Sequence, residues 1–377
     1  MFGLYVHIPL CRHICAYCDF FKMVVSNNYQ DKVINAICRE LDDKNHLPYL
    51  DTVYIGGGTP SSLSLPNLDS ILTSINNLLI RTNHNLDVVE YTIELNPEDI
   101  NIELINLLKK YPINRLSIGI QSFNKEVQNI LGRQSDYELI KSKIDLLKAN
   151  NFSNINLDYI YSALPSSIYT PIIQEKDLEL FMSLKPTHLS CYSLIVEEKT
   201  ILGKKASMGE YIRPNDEDDL NQYLNMKKIL KTHNFHQYEI SNYTSDSKYE
   251  SKHNKIYWHN ECYVGIGPNA SGYEIIDGQH IRYTNHNKIN EYENKQLLEN
   301  EVLTISDIMD YEIILGLRLV EGIDEIKFYE KFGVSVCDAY PKIKDLLKNE
   351  IMIEKDNYIF VNEKHLYVLD YILKEIL

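Results

Sequence analysis

The sequence predicts an α/β fold, an open partial (β/α)6 barrel followed by a smaller, mostly helical, winged-helix-like unit. Three observations predict it. Short apolar runs rich in β-branched and aromatic residues alternate with helical patterns up to about Ile201, the signature of βα units around a parallel sheet. Residues that carry chemistry gather just past those runs, where α/β sheets place their ligand sites. Beyond Ser306 the pattern turns to short helices with an isolated strand-like run.

Strands are expected over residues 4–7, 52–55, 91–95, 115–119, 156–161 and 188–194. Helical patterns separate them at 29–42, 65–79, 102–110, 125–131, 137–149 and 175–183. Six strands fall short of the eight that close a TIM barrel, so the barrel is open. A helix is expected at 215–232, then a loop-and-strand region rich in His, Asn, Tyr and Gly at 238–269. The last part reads as helices at 308–319, 325–332, 334–348 and 365–377 with a strand at 358–361. Three units follow from this: a barrel over 1–205, a loop and strand extension over 206–300, and a helical unit over 301–377.

The chain has 377 residues, 44% apolar, with a formal charge of −15. That balance argues against a nucleic-acid partner, whose footprint is a basic face. Seven cysteines, three of them within eight residues, give no disulfide framework and point to a reducing cytoplasm. The start, Met1 to His7, has neither the basic nor the apolar region of a signal peptide. No apolar run approaches the ~20 residues that span a bilayer.

The densest chemistry is Cys11-Arg-His-Ile-Cys15-Ala-Tyr-Cys18, a C-x3-C-x2-C array directly after the first strand. Three thiolates this close can each hold one iron of a [4Fe–4S] cluster, leaving the fourth iron open, where ferredoxin clusters take four cysteines. An open iron can chelate the amino and carboxylate groups of S-adenosylmethionine (SAM). The competing reading is a zinc site completed by His7 or His13, but no second ligand pair follows.

Gly56-Gly57-Gly58-Thr59-Pro60 ends the second strand, and its glycines allow a backbone to approach a ligand closely. Glu94 and Asn96 end the third strand, where a carboxylate and an amide can bind hydroxyl or ammonium groups, although Glu94 also reads as a helix-cap partner. Gln121 ends the fourth strand and Arg133 follows the next helix, a guanidinium suited to a carboxylate. Asp158 brings a further carboxylate to strand five.

Together these stretches resemble the radical SAM superfamily, in which the cofactor carries the hard chemistry. Residues 4–9, 11–20, 56–60, 118–123 and 156–158 are similar to the branch of oxygen-independent coproporphyrinogen III oxidase and the HemW-type heme chaperones. The resemblance implies that Tyr5, Gly57, Gly58, Thr59, Glu94, Gln121, Arg133 and Asp158 contact SAM, and that Cys11, Cys15 and Cys18 hold the cluster.

The oxidase side of the branch carries a fourth cysteine two positions past the third and a long extension before the first strand. Here Phe20 stands at that position and the first strand begins at Leu4. His253-Asn-Lys-Ile-Tyr257-Trp258 is similar to the H-N-x-x-Y-W motif of the heme chaperones. His253 offers an imidazole for heme iron, and Tyr257 and Trp258 offer flat faces for a porphyrin. The competing reading is a hydrogen-bonded histidine beside a core-filling tryptophan, with His7, His188 and His259 as rival ligands. Four positions depart from the family pattern: Ser135 and Ser271 replace usual histidines, and Ser162 and Ser166 stand in a usually glycine-rich turn.

The expected function is a heme chaperone that binds heme, a [4Fe–4S] cluster and SAM, and passes heme to an acceptor hemoprotein, with a membrane respiratory protein as the candidate. The alternatives are a radical SAM coproporphyrinogen III oxidase and, disfavoured by the acidic charge, a tRNA-modifying enzyme. A cytoplasmic place is expected; a peripheral position at the membrane and a homodimer are compatible with it.

Overall fold

The structure is a computed structural model that describes residues 1–24, 27–44, 47–83, 86 and 89–377. Its first half runs β1 (Gly3–Ile8), α1 (Asn27–Asp43), β2 (Thr52–Gly57), α2 (Leu65–Thr82), β3 (Glu90–Leu95), α3 (Ile102–Leu108), β4 (Arg115–Gln121), α4 (Lys125–Leu131), α5 (Tyr137–Ala149), β5 (Ile155–Tyr161), α6 (Pro171–Ser183) and β6 (His188–Ser193). Strands β1 to β6 lie side by side and parallel, in chain order. This is the expected barrel. Helix starts follow side-chain caps: Ser64, Asn101, Asn124, Asp136 and Thr170 each accept a first-turn N–H. Thr170 and Pro171 set the start of α6, earlier than the expected residue 175, because proline suits the first helical position.

The strands alternate with period two. Leu4, Val6, Val53, Ile55, Ile93, Leu116, Ile118, Leu157 and Leu189 face the helices and form the main core. Tyr54, Glu94, Arg115, Ser117, Asn156, Asp158 and Ser190 face the barrel interior and line one cleft. A barrel filled with polar groups is a site in the making, since buried polar groups are costly without partners.

The second part runs α7 (Ile201–Ser207), α8 (Asp216–Thr232), β7 (His236–Gln237), β8 (Asn242–Thr244), α9 (Lys252–Trp258), β9 (Tyr263–Ile266), β10 (Ser271–Ile276), β11 (Gln279–Asn285), α10 (Ile289–Glu293) and β12 (Leu297–Leu303). Its strands extend the barrel sheet at both edges, in the order β12-β11-β10-β9-β1-β2-β3-β4-β5-β6-β8-β7. β9 pairs parallel with β1, a seventh parallel strand that the sequence pattern does not announce. It is four residues long with Gly265 inside it, too short for a periodicity. Residues 252–258, expected within a loop region, form helix α9. Ser251 caps it, and Glu90 from the far end of β3 accepts the N–H groups of Lys252 and His253 at 2.9 and 3.0 Å.

The last part runs α11 (Ile305–Gly316), β13 (Ile323–Asp324), α12 (Glu325–Phe332), α13 (Val336–Ala339), α14 (Lys342–Lys348), β14 (Met352–Lys355), β15 (Tyr358–Val361) and α15 (Leu369–Ile376). Short helices beside the small sheet β13-β15-β14 give the expected winged-helix-like form. It has its own core around Ile313, Phe328, Ile343, Ile359 and Ile372. The expected helix 334–348 is broken at Tyr340-Pro341, where proline starts α14. β14 was not expected; Asp356 and Asn357, at φ 53° and 64°, make the tight turn that joins it to β15.

Candidate cofactor site

The C-terminal ends of the parallel strands open into a cleft of about 860 Å³, at the large end for a ligand site. The loop between β1 and α1 forms one wall and carries Cys11, Cys15 and Cys18, all partly exposed. Its backbone is tied at both ends. The N–H of Cys11 donates to the Met23 carbonyl at 3.0 Å, and that of Ala16 to the Leu131 carbonyl at 3.0 Å. His7 pins it from below: Nε2 lies 3.1 Å from the Phe21 carbonyl and Nδ1 2.8 Å from the Tyr5 hydroxyl.

The glycine-rich end of β2 faces this loop. Gly57 has φ +108°, and a Cβ there would lie 2.4 Å from the His7 ring. A Cβ on Gly58 would lie 2.7 Å from the carbonyls of Ile8 and Leu10. No other residue permits this approach. Thr59 turns its hydroxyl to the Cys11 sulfur at 3.6 Å.

Glu94 accepts from the Tyr54 hydroxyl at 2.8 Å and from the Gly57 N–H at 3.1 Å. Protein walls it in on every side but the cleft, and this burial pushes its carboxyl up to about 7. Asp158, held by Asn156 Nδ2 at 2.8 Å, is raised to about 6 by the same cause. Arg133 spans the mouth: one guanidinium nitrogen lies 3.5 Å from the Cys15 sulfur, the other bonds Asn96 and the Gly119 carbonyl. Gln121, at φ +75°, sits at a bulge where Ile120 is the extra residue in β4 against β5. Bulges beside active sites re-aim a side chain in this way.

Cys11, Cys15, Cys18, Gly57, Gly58, Thr59, Glu94, Gln121, Arg133 and Asp158 thus line a single cleft. Tyr5 does not; it stands beneath His7 and acts on the cysteine loop through that ring. Among the described residues no three His, Cys, Asp or Glu side chains converge on a single-ion site. The three thiols lie on one loop, close enough that Cys15 and Cys18 act electrostatically on Cys11. Two cations, Lys22 and Arg133, flank them; the Lys22 ammonium bonds the Cys18 and Phe20 carbonyls. The donor set fits a three-cysteine cluster.

The structure corrects the expectation that His253 offers a free imidazole to heme iron. His253 is 1% exposed at the opposite end of the barrel. Its Nδ1 lies 2.7 Å from the Thr52 hydroxyl, its Nε2 lies 2.7 Å from the Tyr257 hydroxyl, and its ring stacks on Tyr54 at 5.1 Å. Burial lowers it to about 3, so it is neutral at any physiological pH. Tyr257 is spent on His253 and on an edge contact with Tyr263. Trp258, at the far end of α9, turns its buried indole N–H toward the Glu239 carboxylate without closing a well-formed hydrogen bond, and takes Arg318 over its ring at 5.8 Å. The motif is a plug between the barrel floor and the C-terminal unit, as the competing reading had it. Only its Asn254 reaches the cleft.

The rival histidines fare similarly. Both nitrogens of His7 and of His188 are engaged, His188 by Asn156 at 2.6 Å and Tyr238 at 2.9 Å. His259 faces Glu321 at 3.4 Å, away from the cleft. The histidine that lines the cleft is His13, exposed on the cysteine loop. Of the four departures only Ser135 lines the cleft, bonding the Ile120 carbonyl at 3.0 Å. Ser162 is buried against Gln222, Ser166 is exposed, and Ser271 bonds Thr284 on the outer strands.

Sequence reasoning did not select Lys22, Tyr54 or Arg115. Lys22 was signalled by its place four residues after Cys18; Arg115 by a charge at the start of a strand whose next residues are mostly apolar.

A family model described as the radical SAM superfamily matches residues 5–162, and one described as the HemN C-terminal domain matches residues 303–367. The heme chaperone HemW of Lactococcus lactis subsp. lactis (strain IL1403) is 35% identical over 366 residues, 96% of this chain and 93% of that protein. The heme chaperone HemW of Bacillus subtilis (strain 168) is 32% identical over 374 residues, 97% of this chain and 96% of that protein. The solved structure of coproporphyrinogen III oxidase (HemN) from Escherichia coli, a radical SAM enzyme, matches 100% of this chain and 89% of its own with a TM-score of 0.82. At 21% identity that is a likeness of fold.

Proposed function

The chain belongs to the heme chaperone HemW family of the radical SAM superfamily, and from that membership we propose that it binds a [4Fe–4S] cluster, SAM and heme and hands the heme to an acceptor hemoprotein. The observation that carries the reading is the make-up of the cleft: a three-cysteine loop and exposed apolar side chains, Phe20 and Ile195 among them, around one opening. Cys11, Cys15 and Cys18 hold the cluster. When bound and reduced by an outside one-electron donor, the cluster would supply the electron that cleaves the sulfonium of SAM to methionine and a 5′-deoxyadenosyl radical, a step a chaperone need not turn over.

The chain's own residues do the positioning. Gly57 and Gly58 present backbone to the amino-acid end of SAM, and Thr59 keeps a hydroxyl on the Cys11 sulfur. Arg133, fixed by Asn96 and the Gly119 carbonyl, supplies a charged fork for a carboxylate. Glu94 and Asp158 accept hydroxyl or ammonium protons; with Glu94 near 7 a small change of pH sets whether it accepts or donates. Tyr5 and His7 hold the cysteine loop in place.

Heme is proposed to enter at the rim, where Phe20 and Ile195 are 71% and 70% exposed and Leu139 and Tyr192 are both 44% exposed, all on the cleft wall. Large exposed apolar side chains grouped around one opening mark a binding surface. His13 on the same wall is the imidazole within reach of a metal there. No helix among the described residues is long and apolar enough to cross a membrane; a cytoplasmic site of action, with transfer to a hemoprotein at the membrane, completes the reading.

The second reading, oxidation of coproporphyrinogen III, is favoured by the HemN-like fold alone. Heme titration of the purified protein, run beside an anaerobic coproporphyrinogen turnover assay with reductant, separates the two. About one heme per chain with no turnover is expected; turnover without heme binding reverses the assignment.

A further inference from the structure

Arg115 is 2% exposed, at the inner end of β4, and lines the floor of the cleft. Its Nε is buried without any hydrogen-bond partner, and its guanidinium closes no ion pair within 4.0 Å among the described residues. Two carboxylates sense its charge, but neither closes an ion pair with it. Glu94 is taken by Tyr54 and Gly57, and Asp158 by Asn156. A buried guanidinium with five donors and no anion is costly to maintain in a folded protein. The surrounding floor, Ser117, Asn156 and Ser190, is polar and neutral.

We infer that Arg115 is a carboxylate receptor at the cleft floor, and that the carboxylate it takes is a propionate arm of the tetrapyrrole. This rests on the heme reading for the identity of the ligand, and on the unpartnered guanidinium for the receptor itself. SAM brings a carboxylate too, but at the wrong level. Arg115 lies four residues down β4 from Gly119, whose carbonyl Arg133 holds beside Cys15. That is roughly 13 Å of backbone along a strand, and Arg133, not Arg115, is the guanidinium that stands beside Cys15 for an amino-acid carboxylate held there. Heme is amphipathic in the matching sense. Its propionates leave from one edge and the opposite edge is apolar, as the floor carries Arg115 and the opening carries the exposed apolar side chains of Phe20 and Ile195.

The test compares heme with heme dimethyl ester, in which the carboxylates are masked, on the wild-type protein, Arg115→Gln and Arg115→Lys. Wild type is expected to bind the diester about tenfold more weakly than heme, the worth of a charge-assisted hydrogen-bonded pair. Arg115→Gln should bind heme as weakly as wild type binds the diester, with diester binding unchanged, and Arg115→Lys should fall between. SAM affinity, measured separately, should not move. Equal binding of heme and diester by wild type overturns the proposal, and needs no variant to fold. A loss of SAM affinity in Arg115→Gln with heme unaffected assigns the carboxylate to SAM and overturns it too. Carboxyl-13C propionate alone, followed by NMR, separates the two readings. If wild type binds no heme yet shifts the propionate signal in an Arg115-dependent way, the heme reading fails and the receptor stands. No such shift in a protein that fails to bind heme removes the receptor.

Discussion

The two ends of the barrel hold the same kinds of side chain and do opposite things with them. At the mouth, Cys11, Cys15, Cys18, Gln121, Arg133 and Asp158 stand around open space. Beneath the cleft floor and its unpaired Arg115, His253, Tyr257, Thr52 and Glu90 satisfy one another, with each imidazole nitrogen and the helix N-terminus accounted for. Both ends read as cofactor sites in the sequence. The difference lies in which polar groups still have a hydrogen bond to give. A buried network that is fully paired fixes the fold; one that is left open is available to a ligand.

The comparison breaks most visibly at the cysteines. Replacing Cys11, Cys15 and Cys18 together by Ala should abolish the iron–sulfur absorbance after anaerobic reconstitution while the melting temperature stays near wild type. Stoichiometric zinc in the wild-type protein, with no cluster, would sink the mouth as a cluster site.

His253→Ala is the matching test of the floor. It removes two hydrogen bonds, the stack on Tyr54 and a filled volume, a loss of about 3 kcal/mol in denaturant unfolding. Heme and cluster spectra should be untouched. A shifted Soret band with stability unchanged would mean the floor opens and the two ends are alike.

Arg133→Ala and Asp158→Ala sharpen the contrast from the other side. Each should weaken SAM binding by about 1–3 kcal/mol by calorimetry, since charged hydrogen bonds are lost, with the cluster still assembled. Collapse of the melting transition instead would make these residues structural, as His253 is.

The smallest effect concerns Glu94, whose folded value of about 7 lies above its ordinary 4.5. The fold therefore binds this proton more tightly than the unfolded chain does. Glu94 favours stability fully only below the ordinary value, and stability falls as pH rises from there through about 7. Glu94→Gln, which stays neutral, should gain about 1–2 kcal/mol over wild type at pH 8, with the gain fading toward pH 5. Parallel pH–stability curves for the two proteins would show that burial does not hold that proton.

Much of the barrel was legible because each βα unit carries both periods, two in the strand and 3.6 in the helix, as in β2 and α2. The mouth was legible because its residues sit at strand ends and in one compact cysteine array. The floor was not, because a helix of seven residues, Lys252–Trp258, has too few turns to show a face, and its partners Glu90 and Thr52 lie far back in the chain. His253 looked like a ligand because only tertiary structure shows that both its nitrogens are taken. Arg115 was passed over for the converse reason: a strand position gives no sign of whether a guanidinium has found its anion.

The pairing of β1 with β9 sets a problem of timing. Tyr263, the outer neighbour of Gly3, is synthesised only after strands β2 to β6, which lie between the two in the chain. At synthesis rates of ~5–20 residues per second the exposed edge of β1 waits on the order of ten seconds or more. Through that interval the nascent chain carries an apolar, parallel-pairing edge beside the cysteine loop. Contacts so distant in sequence form late, so the young protein is most exposed to wrong pairing, and its thiols to oxidation, before the C-terminal half has left the ribosome.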